Sequence, residues 1–180
     1  MAAALGAGLA TLSFRAPSAQ PREEDYPLGV GMKWTYRAGP MGLVREVAER
    51  RGDYFQMTYR LPLLGTDVVP MRRRRDGVFT QAGGREYLLL KFPMRAGDRW
   101  RVDVPGRSRV ADCEVLGIDE VEFAGRRAPA TKLQVTWWNR GSPKRTVDYE
   151  WYAPGVGLAK MQVTYGVRAT FTLERFEHVR

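Results

Sequence analysis

The stretch YPLGVGMKW, Tyr26–Trp34, is echoed later in the chain by FPMRAGDRW, Phe92–Trp100. Each places an aromatic residue, a proline, a large apolar residue, a glycine and a tryptophan at the same spacing. Proline imposes an extended backbone that cannot join a central ladder, and glycine permits a sharp turn. We call these stretches the entry phrases, and we predict that each begins a strand whose tryptophan packs into the core.

A third phrase, YEWYAPGVGL, Tyr149–Leu158, again combines proline and glycine with a tryptophan. So few recurring residues do not make a solenoid or a propeller, in which units of about 20–50 residues recur at least three times. The phrases contain no group able to do chemistry, so we assign them structural roles. The residues assigned in this way are Tyr26, Pro27, Gly31, Trp34, Phe92, Pro93, Gly97, Trp100, Tyr152, Pro154, Gly155 and Gly157.

The composition is that of one globular domain, with 44% apolar and 27% charged residues in a chain of 180. Glycines and prolines separate short alternating segments rich in aromatic and β-branched residues, which favours strands over helices. We predict a single all-β domain over residues 26–180. Its fold is expected to be a strongly curved antiparallel meander sheet of roughly ten strands, a half-barrel or open barrel with little helix.

Residues 1–25 have a different character. Ala2–Phe14 is small and apolar, and Arg15–Gln20 follows it with a candidate cleavage point after Ala19. This order resembles the hydrophobic and cleavage regions of a secretory signal, although the basic n-region is missing. We therefore predict a signal-like segment and linker over residues 1–25 and export to the periplasm or cell exterior. No transmembrane span is predicted, because a span needs about 20 apolar residues.

Four phrases follow one another along residues 26–165, and together they are moderately specific. Their residues are Tyr26, Pro27, Leu28, Gly31, Trp34 and Tyr36, then Pro93, Met94, Gly97 and Trp100, then Val121, Phe123, Ala124, Gly125, Ala130 and Lys132, and finally Tyr152 to Leu158 and Lys160. In this order they resemble a family of bacterial envelope proteins known chiefly as a domain of unknown function, which includes the TapB-like pilus-associated lipoproteins.

The resemblance implies an exported, strongly curved antiparallel sheet, such as the half-barrels of lipoprotein carriers, and it supplies no catalytic residue. The chain departs from the family pattern in two respects. It has no lipid-attachment cysteine near the candidate cleavage point, so we expect no lipid anchor at this end. It also carries Arg126 and Arg127 where a small polar residue is usual.

Basic residues outnumber acidic ones, 29 to 20, for a formal net charge of +9. Most arginines alternate with apolar residues, as solvent-facing strand positions do. The one run, Arg72-Arg73-Arg74-Arg75, is typical of a solvated edge or turn, where charge blocks unwanted strand pairing. No nucleic-acid recognition motif accompanies it, so nucleic-acid binding is disfavoured. Polyanion binding through Arg72–Arg75 stays open as an alternative.

Groups for nucleophilic or metal chemistry are scarce. Cys113 is the single cysteine, and the single histidine is His178. A catalytic triad or a histidine zinc site would have to use that one histidine, so we predict no catalytic residue, cofactor or metal. We interpret Cys113 as a small buried hydrophobe and His178 as a surface residue.

Alternating acidic residues provide the best case for an enzyme. Asp112 and Glu114 share one face of a strand, and Asp148 and Glu150 share a face of another. Paired carboxylates cleave glycosidic bonds when they flank one cleft. Solvent-facing positions of alternating strands produce the same spacing, so a hydrolase using these acidic pairs is an alternative and not the favoured function.

An aromatic cluster provides the candidate ligand face, formed by Trp137, Trp138, Trp151 and Tyr152. These residues are either core or part of a concave binding surface. Trp137 and Trp138 are neighbours in a strand and must face opposite sides of the sheet. The favoured function is an exported, non-catalytic β-domain that binds an apolar ligand, such as a lipid, or a protein partner in the cell envelope.

Overall fold

The computed structural model describes residues 26–61, 65–164 and 168–178, and in this part of the chain it contains strands and no helix. The strands are β1 (Met32–Ala38), β2 (Met41–Arg51), β3 (Tyr54–Leu61), β4 (Gly65–Arg74), β5 (Gly77–Ala82), β6 (Arg85–Lys91), β7 (Arg99–Val102), β8 (Arg109–Phe123), β9 (Arg126–Asn139), β10 (Arg145–Ala153), β11 (Gly157–Val163) and β12 (Ala169–His178). The described residues therefore contain no helix that could span a membrane.

All twelve strands belong to one antiparallel sheet, in the order β6-β5-β4-β3-β2-β1-β12-β11-β10-β9-β8-β7. Two six-stranded meanders, β1–β6 and β7–β12, are joined where β1 pairs with β12. The sheet curves until its edge strands, β6 and β7, come into contact, so it nearly closes into a barrel. The predicted all-β, strongly curved meander is confirmed.

The strand count exceeds the predicted ten because several connections are very short. Ala124 and Gly125 alone join β8 to β9, and Arg75 and Asp76 alone join β4 to β5. Both Ala124 and Gly125 have positive φ, as a two-residue hairpin turn requires. Connections of two residues leave more of the chain for strands.

Alternation along the strands gives the sheet an inner face and an outer face. On β1 and β2 the inner positions are Trp34, Tyr36, Leu43 and Val47, all of which are buried. We call the end of the barrel where β1 stops and β2 starts the upper end, and the opposite end the lower end. The entry phrases and the turn between β10 and β11 lie at the lower end.

The two entry phrases make matching contacts. Gly31 donates its N–H to the Val47 carbonyl oxygen at 2.9 Å, and Gly97 donates to that of Val115 at 2.8 Å. Both glycines have φ near +85°, at 83° and 85°, a conformation that a side chain would strain. Their aromatic and large apolar residues, Tyr26, Leu28, Phe92 and Met94, are all buried. The phrases thus close the lower end of the barrel.

The two phrase tryptophans differ in burial. Trp34 is 2% exposed and donates from Nε1 to the Val156 carbonyl oxygen at 2.8 Å, as predicted for a core residue. Trp100 is half-buried, because it lies on the edge strand β7 and donates across the gap to the Leu89 carbonyl oxygen of β6. We call this junction between β6 and β7 the seam. Pro27 and Pro93 lie in the connections that precede β1 and β7.

Candidate functional site

A buried arginine occupies the inner face of β2. Arg45 lies between Leu43 and Val47 at an inward position and is 4% exposed. Its partner across β1 is Trp34, and its partner across β3 is Tyr59, both of which face inward. A guanidinium cannot be deprotonated in a protein, so a full positive charge lies inside the barrel.

Tyrosine hydroxyls surround the Arg45 guanidinium. Nη2 donates to the Tyr26 hydroxyl at 2.9 Å and, more weakly, to that of Tyr59 at 3.5 Å. Nη1 donates to the Tyr36 hydroxyl at 3.3 Å. The guanidinium carbon also lies 5.1 Å from the Tyr59 ring centre and 5.7 Å from that of Trp34, distances at which a cation is attracted to the ring face.

The same aromatic residues connect the two halves of the sheet. Tyr36 donates its hydroxyl hydrogen to the Leu158 carbonyl oxygen at 2.8 Å, and loss of hydration raises the pKa of that hydroxyl above its usual range. Trp34 makes the corresponding bond to Val156. Strand β1 thus holds the turn between β10 and β11 against the arginine.

Glu150 and Tyr152 of β10 face inward on the opposite side of the barrel. The Tyr152 hydroxyl donates to Glu150 Oε2 at 2.6 Å. Burial raises the pKa of Glu150, an effect that outweighs the hydrogen bond from Tyr152 and the attraction to Arg45. We call Arg45, Glu150 and the tyrosines Tyr26, Tyr36, Tyr59 and Tyr152 the inner cluster.

Two members of the inner cluster are desolvated but still keep some accessible surface. Glu150 and Tyr59 are half-buried, whereas Tyr36 is fully buried. Burial nevertheless raises the pKa of Tyr59 to about 12. Both side chains therefore combine poor hydration with some remaining exposure. Arg45 and Tyr59 lie on the parts of β2 and β3 that lead to the upper end.

Half-buried apolar side chains mark that upper end. They face inward by the strand register, and each packs against the core without being fully covered. We call them the upper rim: Ala38, Met41, Tyr59, Leu61, Trp137, Met161, Val163 and Ala169. At the lower end the apolar residues of the entry phrases are buried, whereas Met32, Phe55 and Phe176 are half-buried. Among the described residues, the upper end thus has the larger set of half-buried inward apolar side chains.

The four residues of the predicted ligand face are divided between the two sides of the sheet. Trp137 and Tyr152 occupy inward positions, opposite Ala111 and Thr131. Trp138 and Trp151 occupy outward positions, as alternation requires. Trp138 lies between the guanidinium groups of Arg101 and Arg145, whose carbons are 5.3 and 4.3 Å from its ring centre. Of the four, only Trp137 and Tyr152 face the inside of the barrel.

Trp151 is buried on the outer face beneath two lysines. The ammonium groups of Lys132 and Lys160 lie 5.3 and 5.0 Å from its ring centre. Its Nε1 donates to Asp119 Oδ2 at 2.9 Å, and this bond is the main reason why the pKa of Asp119 is lowered. The cluster ties the distal half of the β8–β9 hairpin to β10 and β11, which is a structural role.

The acidic pairs of the alternative hydrolase face opposite sides of the sheet. Asp112 and Glu114 pair with Thr136 and Gln134 on the outer face, whereas Asp148 and Glu150 pair with Val135 and Leu133 on the inner face. These four carboxylates do not flank a common cleft, which is the arrangement that paired-acid chemistry needs.

A shallow outer groove of about 480 Å³ lies over β7, β8 and β9. Its acidic residues are held by arginines: Arg101 bonds both oxygens of Asp112, at 2.8 and 3.2 Å, and Arg99 bonds Glu114 at 2.7 Å. Both carboxylates therefore have arginine partners on the outer face.

The Arg72–Arg75 run does not form one patch. Arg72 pairs with Asp53 and Glu86, and Arg74 pairs with Glu86 as well. Arg73 donates from Nη1 to the Tyr26 carbonyl oxygen at 3.0 Å and so helps hold the first entry phrase. Acidic partners thus neutralise part of the run's charge.

The remaining candidate groups are a buried cysteine and an exposed histidine. Cys113 is 4% exposed, and burial raises the pKa of its thiol far above the usual range, which keeps the thiolate rare. His178 is exposed, and its Nε2 lies 2.9 Å from the Val30 carbonyl oxygen. Among the described residues, no group of His, Cys, Asp and Glu could hold a metal ion.

Arg45 is the residue that sequence reasoning missed. It occupies a buried position of β2 between Leu43 and Val47, whereas a basic residue is expected at an outward position. A base in phase with two apolar residues is a recognisable signal, because the alternation itself places all three on one face. What could not be predicted is which tyrosines reach it.

Comparisons with known proteins show which solved structures have a similar fold. No protein-family model matches the chain, and no curated protein does either. A candidate exported protein with a YmcC-like fold from Bacteroides fragilis matches at 15% identity and a TM-score of 0.54, covering 89% of this chain and 100% of that one. A candidate lipoprotein from Parabacteroides distasonis matches at 14% identity and 0.51, covering 88% and 100%. At these identities the shared property is the fold, a curved antiparallel sheet of the YmcC-like type.

Proposed function

We propose that this chain is an exported, non-catalytic binding domain that holds the hydrocarbon part of a lipid ligand against the upper rim. The observation that carries the proposal is the upper rim itself, a set of eight inward apolar side chains at one end of the barrel that pack against the core and stay half-buried. At the lower end the apolar residues of the entry phrases are buried. An apolar ligand would remove this exposed surface from water, at about 25 cal/mol for each Å² covered.

Three observations support export. The first is the signal-like character of residues 1–25. The second is the fold shared with a candidate exported protein and a candidate lipoprotein. The third is the resemblance of the four phrases to the envelope family that includes the TapB-like lipoproteins, to which we propose this chain is related. Fusion of residues 1–25 to alkaline phosphatase, which is active only after export, tests the localisation directly.

We propose that the domain is non-catalytic because of the positions and partners of the candidate catalytic groups. Asp112 and Glu114 are held by arginines on the outer face. Glu150 is on the inner face, away from them. The Cys113 thiol is buried and protonated. None of these arrangements offers a poised acid and base within reach of one substrate bond.

A fluorescent apolar dye, N-phenyl-1-naphthylamine, tests the binding function because its emission rises when it leaves water. We expect saturable binding to the purified domain and loss of binding in Leu61→Glu, which places a charge at the upper rim. Val68→Glu is the matched control, since Val68 lies on the neighbouring strand β4 and is already 45% exposed. A charge there should leave dye binding unchanged.

Three outcomes would count against this function. They are failure of the domain to bind the dye, binding by Leu61→Glu as strong as that of the unaltered chain, and equal loss of binding in both variants. Native mass spectrometry of the purified protein, followed by lipid extraction, provides an independent check. A co-purifying protein without any lipid would indicate an envelope partner instead of a lipid ligand.

A further inference from the structure

The charge of Arg45 lacks a direct acidic partner within residues 26–61, 65–164 and 168–178. Its recorded contacts are three tyrosine hydroxyls and two aromatic rings. Its Nε is buried and has no hydrogen-bond partner at all. Burying a charge without a partner is costly, so a buried arginine with a free donor is unusual in a core.

Two tyrosines beside Arg45 also have hydrogens to donate. The hydroxyls of Tyr26 and Tyr59 each accept a hydrogen bond from Nη2 and donate to no described protein group. The hydroxyl of Tyr36 is already used, because it donates to Leu158. Arg45 Nε and these two hydroxyls therefore provide three unused donors beside one positive charge.

We propose that the inner cluster binds the carboxylate headgroup of a single-chain amphiphile, a fatty acid, whose hydrocarbon chain extends along the upper rim. This inference rests on the proposed function and adds the headgroup to it. Arg45 supplies the charge and its free Nε donor, and Tyr26 and Tyr59 supply hydroxyl donors. Charge-assisted hydrogen bonds of this kind are about twice as strong as neutral ones.

The distance along β2 is long enough for an acyl chain to extend from the inner cluster to the upper rim. Arg45 and Met41 are four residues apart on one strand, which corresponds to about 13 Å at ~3.3 Å per residue. An acyl chain that starts at Arg45 therefore passes the upper rim before it reaches solvent. The half-buried ring of Tyr59 lies beside this path.

A carboxylate fits the available donors better than a phosphate does. A phosphate presents three strong acceptor oxygens and a charge near −2, which calls for several cations. Here one guanidinium is present, and both of its Nη groups already donate to tyrosines. One guanidinium with a single free donor matches one negative charge better than two.

The test compares three ligands on the purified full chain, each below its critical micelle concentration. Palmitate, methyl palmitate and a lysophosphatidate with a sixteen-carbon chain share the hydrocarbon and differ in the headgroup. Each is titrated against bound N-phenyl-1-naphthylamine. We expect palmitate to displace the dye at a concentration at least about tenfold lower than methyl palmitate, the size of one charge-assisted hydrogen bond.

Two variants assign the preference to the inner cluster. Arg45→Met removes the charge and the donors of the guanidinium from an unbranched side chain, and it should abolish the preference for palmitate over its ester. Tyr59→Phe removes one donor from a half-buried ring and should reduce the preference several-fold. Because the ester comparison is made on the unaltered chain, the test holds even if Arg45→Met does not fold.

The outcomes separate this inference from the proposed function. Equal displacement by palmitate and methyl palmitate would overturn the headgroup site and leave the lipid-binding function standing. No displacement by any of the three would overturn both. Tighter binding of lysophosphatidate than of palmitate, or a preference for palmitate that survives Arg45→Met in a folded protein, would overturn the carboxylate site.

Discussion

Replacement of Trp34 by alanine tests whether the first entry phrase closes the core. The side chain is 2% exposed, stacks on Phe176 with ring centres 5.2 Å apart, and donates to the Val156 carbonyl oxygen. Truncating a buried tryptophan costs about 3–5 kcal/mol, and the unpaired Val156 carbonyl adds roughly 1 kcal/mol more. Because a domain has only ~5–15 kcal/mol of stability, this variant should be barely folded.

Three further variants provide a scale for the loss of stability expected in Trp34→Ala. Trp34→Phe keeps the ring and loses the Nε1 donor, so it should cost only about 1–2 kcal/mol. Trp100→Ala removes a half-buried ring from the seam and should cost less than Trp34→Ala, about 1–3 kcal/mol. Trp138→Ala is the control on the outer face, where the ring lies between two arginines, and it should cost about 1 kcal/mol.

Urea unfolding followed by far-ultraviolet circular dichroism measures these differences. A change in midpoint with an unchanged slope reports stability alone. The expected order of destabilisation is Trp34→Ala, then Trp100→Ala, then Trp138→Ala. If Trp34→Ala unfolds within 1 kcal/mol of the unaltered chain while losing dye binding, the ring is part of a ligand shelf, and our assignment of the first entry phrase to the core is wrong.

Three other predictions concern ionisable groups. Burial raises the pKa of Glu150 in the folded state, so the folded chain holds a proton that the unfolded chain releases, and stability should fall as pH rises from about 4.5 through the folded pKa. Glu150→Gln should remove this loss of stability. The difference in melting temperature between the variant and the unaltered chain should therefore grow with pH and then level off. The exposed ion pair Arg101–Asp112 should contribute less than about 1 kcal/mol to the free energy of unfolding. A double-mutant cycle with Arg101→Ala and Asp112→Ala measures this contribution, and a larger coupling energy would mean that the outer groove is rigid. Cys113 should react with Ellman's reagent only as the protein unfolds, since its thiol is buried and its pKa raised; rapid reaction in the folded state would show that the inner face opens beside β8.

Strand periodicity and turn residues were sufficient to predict the sheet. The alternation of polar and apolar residues from Lys132 to Trp137 puts Leu133 and Val135 on one face, and both are buried there. The glycines of the entry phrases predicted turns, and Gly31 and Gly97 have the positive φ that such turns need. These features are local, so a sequence can show them.

The inner cluster could not be predicted in the same way, because its members come from distant parts of the sheet. Tyr26 precedes β1, Arg45 is on β2, and Glu150 is on β10. Only the curvature of the sheet brings them together, and curvature depends on bulges, such as those between Thr35 and Tyr36 on β1 and between Val115 and Gly117 on β8. A bulge re-aims side chains without a clear local signal in the sequence.

The two six-stranded meanders meet at two junctions. One junction has continuous backbone hydrogen bonding between its strands, and the other does not. Between β1 and β12 a backbone ladder runs from Met32 to Arg37. At the seam the equivalent strands, β6 and β7, are held by side chains: the Trp100 indole donates to the Leu89 carbonyl oxygen, and Lys91 pairs with Asp98 at 2.8 Å. A ladder opens only when several bonds break together, whereas two side-chain contacts can be released singly. The seam is therefore the less strongly held of the two junctions, and Trp100, which lies opposite Cys113 on the inner face, is the side chain that bridges it.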